Sequence, residues 1–131
     1  YAARCGNQAI MTPMDFCYLN FYQTQSQEGE ELAIGGWVSV DGIYGWNPYE
    51  GLNEAEQKNI IGIQCNIWSE YIKTYNHLQR MLLPRLAAIS EVQWATSRRN
   101  PATLRPRMER HRLLYEACGW AYSTFYFEGR K

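Results

Sequence analysis

The sequence has no excess of charge of either sign, no long apolar run and no closely spaced pair of cysteines. Thirteen basic residues balance thirteen acidic ones among the 131 residues. A membrane-spanning helix needs about 20 consecutive apolar residues, so none is predicted, and no signal peptide is recognisable. Apolar residues make up 46% and charged residues 20%, which is typical of a globular domain rather than a disordered chain.

Cysteine usage gives no sign of a disulfide framework or a metal site. Cys5, Cys17, Cys65 and Cys118 form no CxxC spacing and no metal-like pairing with either histidine. Four cysteines in a chain of this length do not make a disulfide scaffold. The sequence therefore predicts no metal and no cofactor. It also predicts buried thiols at Cys65, in an apolar strand, and at Cys118, on an apolar helix face.

Basic residues are concentrated in the second part of the chain. Residues 1–79 hold nine acidic and three basic side chains, whereas residues 80–131 hold ten basic and four acidic ones. A basic region can indicate nucleic-acid binding. Here the arginines alternate with apolar positions of helical spacing, so we interpret them as a solvated helix face and predict no nucleic-acid partner. They are Arg98, Arg99, Arg105, Arg107, Arg110 and Arg112.

Two segments have strand character. Residues 8–12 form a short strand that ends at Pro13, and residues 60–68 form the clearest strand. One side of the second strand is apolar, and the other side is small or polar and ends in Trp68. In a β/α barrel the apolar side would pack on helices while the other side pointed into the barrel. The apolar side consists of Ile61, Ile63, Cys65 and Ile67.

The remaining segments indicate helices and one long loop. The chain opens as the end of a helix closed by Gly6, residues 14–36 form a polar loop of a length that is usually functional, and residues 37–46 are helical or turn-like. Apolar spacing over residues 78–94 predicts a helix with Pro84 in its first turn or at a kink. Its predicted buried stripe is Leu78, Leu82, Leu86, Ile89 and Val92. A last helix begins near Asn100 and ends at Gly119. Its apolar stripe is Leu104, Met108, His111, Tyr115 and Cys118.

Three stretches together resemble the closing part of glycoside hydrolase family 20, the β-N-acetylhexosaminidases. Residues 9–20 end in Tyr18-Leu19-Asn20, which resembles the family's Tyr-x-Asp motif after strand seven. Residues 62–70 contain Trp68-Ser69-Glu70, similar to its Trp-x-Glu motif at strand eight. Residues 83–94 match its helix-eight pattern, Pro-Arg-x-x-Ala-x-x-Glu-x-x-Trp. The likeness runs in order from about residue 1 to residue 122.

The resemblance implies an α/β fold, namely the C-terminal fragment of a (β/α)8 TIM barrel. Residues 1–75 would supply strands seven and eight with their active-site loops, and residues 76–131 the closing helices. Active sites of this fold lie at the carboxyl ends of the strands. The family cleaves by substrate assistance, in which the 2-acetamido group of the sugar forms an oxazolinium intermediate. A periplasmic, secreted or lysosomal location is implied for the parent enzyme.

Five residues inherit roles from the resemblance. Tyr18 would hydrogen-bond the acetamide oxygen, and Trp68 would form a wall for the sugar ring. Glu70 would accept hydrogen bonds from the sugar hydroxyls, and Trp37 would line the pocket near C6. Asn20 occupies the position where the family usually has Asp, which changes an all-acceptor carboxylate into an amide. This leaves affinity, or the choice between the gluco and galacto configurations, open.

Other members of the helix-eight pattern are predicted to be structural. Arg85 and Glu91 lie six residues apart, too far for an i,i+4 pair, so we expect them to be tethers to neighbouring elements. Trp94 is expected in the core. His111 is expected to be a packed core histidine rather than a ligand.

The sequence also lacks the catalytic acid of the family. It contains no Asp-Glu dipeptide, the pair that orients the acetamide and protonates the leaving oxygen. We therefore expect an inactive fragment whose partners are N-acetylhexosamine-terminated glycans and either the rest of the barrel or a second copy of itself. The alternatives are a non-catalytic carbohydrate-binding or interaction module derived from such a barrel, and a small α/β scaffold whose motifs are coincidental.

Overall fold

A computed structural model describes residues 1–130 and shows a mixed α/β arrangement with two small parallel sheets. The strands are β1 (Ala9–Met11), β2 (Phe21–Tyr22), β3 (Ile34–Trp37) and β4 (Ile60–Ile63). The helices are α1 (Met14–Cys17), α2 (Val40–Gly45), α3 (Glu54–Gln57), α4 (Tyr75–Leu82), α5 (Arg85–Ala95) and α6 (Leu104–Cys118). The loop expected over residues 14–36 thus contains a helical turn and a pair of short strands.

The two predicted strands are parallel neighbours, as expected. Ala9 of β1 pairs with Ile60 of β4, and Met11 pairs with Ile63. The strand predicted over residues 60–68 is regular only as far as Ile63, because β1 ends at Met11 and α1 follows it. The backbone pairing resumes at one isolated parallel bridge, between Tyr18 and Asn66.

The apolar side of β4 is only partly covered. Ile63, Cys65 and Ile67 pack against the core, as predicted. Ile61 does not: its exposed fraction is 55%, which corrects the expectation that it packs on helices. Within the described residues, β4 pairs with β1 alone. Ile61 lines an open groove beside Trp94.

The core lies between α2, α5 and the start of α6. Residues 37–46 contain the expected helix, α2, whose N-cap Ser39 accepts a hydrogen bond from the Gly42 amide at 3.0 Å. The rings of Phe16 and Trp46 stack with centroids 5.1 Å apart. The central buried side chains are Leu19, Val38, Ile43, Tyr44, Ala88, Ile89, Val92, Leu104 and Met108.

The helix expected over residues 78–94 is two helices. α4 ends at Leu82 and α5 begins at Arg85, because Pro84 has no N–H with which to continue the backbone pattern. Two burial predictions for this segment are wrong: Leu86 is exposed, and Trp94, expected in the core, is 83% exposed. The buried face of α5 is rotated away from them and consists of Arg85, Ala88, Ile89 and Val92.

The last helix agrees more closely with the sequence. The Asn100 side chain accepts a hydrogen bond from the Ala102 amide at 3.0 Å and caps a short turn that leads into α6. Gly119 closes α6 in the left-handed conformation, with φ 65°. Cys118 is exposed, which corrects its predicted burial, whereas Cys65 is half-buried. His111 is half-buried and lies 6.1 Å from Tyr115, ring centroid to ring centroid.

Several arginines of the basic region make specific contacts. Arg107 donates to both carboxylate oxygens of Glu91 and to the Tyr44 hydroxyl, and so joins α6 to α5 and α2. Arg105 donates to the carbonyls of Tyr126 and Phe127. The basic residues thus attach elements to one another as well as facing solvent. Within residues 1–130, none of the helices is both long and apolar enough to cross a bilayer.

Candidate functional site

The candidate site begins where the two main parallel strands end. The Leu19 amide donates to the Asn66 carbonyl at 2.8 Å, and the Asn66 amide donates to the Cys17 carbonyl at 2.8 Å. These bonds hold the segment from Tyr18 to Asn20 beside Asn66, beyond the carboxyl ends of β1 and β4. Residues from two separate parts of the sequence therefore meet at one edge of the sheet.

A second strand pair brings Trp37 to the same region. Tyr22 pairs with Trp37 after a shift in register from the Phe21–Ile34 pair, and the Val38 amide donates to the Tyr22 carbonyl at 2.8 Å. The approach is close at Gly36, which has φ +82° and no Cβ. A Cβ there would lie 2.8 Å from two ring carbons of Phe21. Glycine is therefore required for β2 and β3 to meet as they do.

Two side chains after β1 differ in burial and bonding. Tyr18 is half-buried, and its ring centroid lies 5.7 Å from that of Phe21. Asn20 is buried, yet its Oδ1 atom accepts no hydrogen bond from any residue in the described range 1–130. An unsatisfied buried acceptor costs about 1–3 kcal/mol. The described chain therefore leaves this buried acceptor unsatisfied.

Trp68 and Glu70 project from the coil that follows Asn66. Trp68 is 53% exposed, and Glu70 is also exposed. No salt bridge within the described range, 1–130, involves Glu70, so its carboxylate faces solvent. Paired backbone links Tyr18 to Asn66 and Tyr22 to Trp37, whereas Trp68 and Glu70 follow Asn66 by two and four residues along the chain.

The predicted residues form an open surface rather than a closed cavity. One cavity of about 290 Å³ lies elsewhere, against α4 and the C-terminal segment, and its lining includes Glu31, Arg80 and Tyr122. Trp37 is exposed, like Trp68. Exposed aromatic side chains offer flat apolar surfaces against which a ligand can pack.

The thiols of Cys17 and Cys65 lie next to the site residues and are unreactive. The bridge between Tyr18 and Asn66 sets Cys17 beside Cys65. Burial, with a smaller contribution from Cys65, raises the pKa of Cys17 to about 12, and burial also raises the pKa of Cys65. Because the thiolate is the nucleophile, neither cysteine is reactive at neutral pH. In the part of the chain that is described, no three His, Cys, Asp or Glu residues group to hold a metal ion.

Sequence reasoning missed how the loop between β2 and β3 is held. The Glu30 carboxylate accepts hydrogen bonds from the amides of Gln23 and Thr24, both at 2.8 Å, and from the Thr24 hydroxyl at 2.7 Å. Arg80 donates two hydrogen bonds to Glu31, which hold the pKa of that carboxyl below its usual value. The three glutamates of this loop, Glu28, Glu30 and Glu31, were the available signal.

The tethers expected in the helix-eight pattern are present. Glu91 binds Arg107, with a shortest distance of 2.6 Å, and is the link to α6. Arg85 is fully buried and donates to backbone carbonyls in the segments that carry Asn20 and Trp37. The expectation that Arg85 acts as a tether is confirmed, but its partners could not be read from the spacing.

The chain was compared with known families and structures. Residues 1–97 match the family model for the glycosyl hydrolase family 20 catalytic domain. The chain therefore belongs to glycosyl hydrolase family 20, and it corresponds to the C-terminal part of that catalytic domain. The family resemblance read from the three sequence stretches is confirmed.

Individual relatives are all much longer than this chain. A β-N-acetylhexosaminidase from Cellulomonas fimi is 29% identical over 92% of the chain, which spans 24% of that protein. A family 20 β-N-acetylhexosaminidase structure from Streptomyces coelicolor A3(2) superposes with a TM-score of 0.79 at 30% identity, again over 92% of this chain and 24% of that one. An exo β-N-acetylglucosaminidase from Vibrio harveyi, in complex with N-acetylglucosamine, superposes with a TM-score of 0.80 at 26% identity, over 92% and 19%.

Proposed function

We propose that this chain supplies one wall of the sugar pocket of an exo-acting β-N-acetylhexosaminidase. In this proposal it forms strands seven and eight of a (β/α)8 barrel with the helices that follow them. The parent enzyme removes terminal N-acetylglucosamine or N-acetylgalactosamine from glycans. The similarity to an N-acetylglucosamine-bound family 20 enzyme supports this substrate class, and the family match supports the reaction.

One observation carries the proposal: residues from separate segments converge at the carboxyl end of the parallel strands. The bonds between Leu19 and Asn66 and between Val38 and Tyr22 fix the backbone around Tyr18, Asn20 and Trp37. Ligands of α/β barrels bind at that end of the sheet. Asn20 directly follows Leu19 in this fixed segment, and the proposal assigns its side chain to the sugar hydroxyls.

The proposed chemistry is substrate-assisted and retaining. The acetamide oxygen bonds to the anomeric carbon as the glycosidic carbon–oxygen bond breaks, and an acid outside this chain protonates the leaving oxygen. Water then adds to the anomeric carbon and reopens the oxazolinium ring, and its proton returns to the conjugate base of that acid. Tyr18 donates its hydroxyl proton in a hydrogen bond to the acetamide oxygen, Trp68 packs on the sugar, and Glu70 accepts hydrogen bonds from its hydroxyls.

The test compares the full-length parent protein with the isolated chain on an aryl N-acetylglucosaminide. The parent should hydrolyse it, and Glu70→Gln should raise KM while Glu54→Gln, an exposed change on α3, should not. The isolated chain should show no turnover, because it contains no Asp-Glu pair. Turnover by the isolated chain that Glu70→Ala abolishes would contradict the proposal. Sugar binding by the parent without turnover would favour the non-catalytic module instead.

A further inference from the structure

Arg85 donates every N–H of its guanidinium to backbone carbonyls. Its side chain is fully buried at the start of α5. Nε and Nη2 donate to the Met81 carbonyl at 3.1 and 2.6 Å, Nη1 donates to the carbonyls of Phe21 and Val38 at 3.1 Å each, and Nη2 also donates to the Leu19 carbonyl. Five hydrogen bonds thus reach four carbonyl oxygens, which uses all five N–H donors of the guanidinium.

The accepting carbonyls are next to the residues assigned to the sugar. Leu19 and Phe21 lie on either side of Asn20, and Val38 directly follows Trp37. The fourth acceptor, Met81, lies in the last turn of α4, where carbonyls lack partners within the helix. One planar side chain therefore joins two site segments to the end of a helix.

The charge of Arg85 has no direct carboxylate partner in the described chain. Buried cations are usually paired with an anion, since removing a charge from water costs several kcal/mol. Here carbonyl dipoles and the C-terminal end of α4 take that role, while Glu30 acts on the charge without bonding to the guanidinium. Burial lowers the pKa of Arg85 to about 9, so the group remains a cation at neutral pH. An apolar side chain would fill this space without that desolvation cost.

We propose that Arg85 is a positioning residue of the sugar pocket, which holds the Asn20 segment and the Trp37 segment at a fixed separation. This inference rests on the proposed function, because the separation matters only if both segments contact one ligand. Arg85 itself does not touch the sugar. It acts through the three carbonyls, and geometry fixed from outside a site can change rates up to about a hundredfold per ångström of displacement.

The discriminating substitution is Arg85→Lys in the full-length protein. Lysine keeps the charge but has only three donors at one point, so it cannot hold all four carbonyls in their present places. We expect KM for an aryl N-acetylglucosaminide to rise about tenfold, with a smaller change in kcat, because ground-state binding by Asn20 and Trp37 is loosened. Arg107→Lys is the matched control, since Arg107 also joins elements but bonds to Glu91 and Tyr44, away from the site.

Hydrogen exchange gives a second readout that does not need activity. In Arg85→Lys the amides of residues 19–22 and 34–38 should exchange faster together, whereas Arg107→Lys should leave both segments unchanged. A wild-type KM in Arg85→Lys would overturn the positioning role, as would an equal rise in KM in both variants. Failure of Arg85→Lys to fold where Arg107→Lys folds would also overturn it, by reducing Arg85 to a stability residue. An inactive wild-type parent would instead refute the proposed function.

Discussion

Tyr18 is the residue with the most direct proposed part in the chemistry. The Tyr18 hydroxyl would hold the acetamide oxygen in line with the anomeric carbon, and losing such positioning can cost about 10² in kcat. We expect Tyr18→Phe in the full-length protein to reduce kcat by about that factor and to change KM little. Steady-state kinetics on an aryl N-acetylglucosaminide measure both constants.

Tyr22 provides the control for this prediction. It lies four residues further along in β2 and is half-buried as Tyr18 is, but no role in the reaction is assigned to its hydroxyl. Tyr22→Phe should therefore retain the wild-type kcat. An unchanged kcat in Tyr18→Phe would remove Tyr18 from the catalytic site and leave it as a packing residue beside Phe21.

At the level of single residues, the sequence was informative where position in a motif determines location. Tyr18 and Asn20 were expected after a strand end and lie there, because the chain leaves neighbouring parallel strands at the same edge of the sheet. Ile61 and Trp94 were assigned to the interior and are exposed. Their burial depends on what packs against them, and apolar spacing does not specify a partner outside the chain.

Among the secondary-structure elements, the contact between β2 and β3 depends on Gly36. Alanine there would place its Cβ 2.8 Å from the Phe21 ring at a φ of +82°. A non-glycine residue in such a conformation costs of order 1–3 kcal/mol. We expect Gly36→Ala to lower the free energy of unfolding by about that amount, as measured by urea denaturation, and to raise KM by displacing Trp37.

Gly35 offers a neighbouring control in the same strand. A Cβ at Gly35 would meet nothing within 4 Å, and its φ is not in the left-handed region. Gly35→Ala should therefore be close to neutral. If Gly36→Ala were equally neutral, the close approach of Phe21 would not constrain the site.

The ion pair between Glu91 and Arg107 makes the attachment of α6 to α5 sensitive to acid. The hydrogen bonds from Arg107 hold the pKa of Glu91 below its ordinary value. Since the folded-state pKa is lowered, the pair stabilises the fold above the unfolded pKa of about 4.3. That stability disappears as the pH falls through the lower folded-state pKa.

We expect Glu91→Gln to lower the free energy of unfolding at pH 7 by about 1 kcal/mol, the upper end for a partly exposed pair. Urea denaturation should show this difference at neutral pH and show it shrinking in acid, where wild-type Glu91 is also neutral. Glu54→Gln, on exposed α3, should match the wild type throughout. A difference that persisted undiminished in acid would show that packing, not charge, carries the effect.

Predicting the elements from sequence succeeded where local chemistry decides the outcome. Asn100 and Gly119 marked the last helix because capping depends on the residues themselves. The short strands β2 and β3 were missed, since two to four residues carry too little periodicity to be distinguished from loop. The five hydrogen bonds that Arg85 donates were also beyond sequence reasoning, because backbone carbonyls have no signature in the sequence.

At the scale of the whole molecule, the surface beside β4 is unusually apolar for an isolated chain. Within residues 1–130, β1 and β4 pair only with each other, and each has an unpaired outer edge. Ile10, Ile61 and Trp94 are exposed along this region. Unpaired edges promote association, and apolar patches beyond a few hundred Å² rarely stay uncovered.

We therefore expect the isolated chain to self-associate, unless it is supplied with the remainder of its barrel. Multi-angle light scattering over a range of concentrations should show mass above that of the monomer, and Trp94→Glu should shift the distribution towards monomer. Trp120→Glu, at an exposed position after α6, should not. A stable wild-type monomer at high concentration would contradict the prediction.

Arg107, Arg105 and Arg130 all lie beyond residue 97, where the family match ends. Yet Arg107 secures Tyr44 and Glu91, Arg105 holds two carbonyls near the C-terminus, and Arg130 donates to the Glu28 carbonyl in the loop between β2 and β3. The family model therefore ends before several residues that hold the fold together. A protein trimmed to residue 97 would keep every proposed sugar-contacting residue but lose the Arg130 bond to the loop between β2 and β3 and the Arg107 bonds to Tyr44 and Glu91.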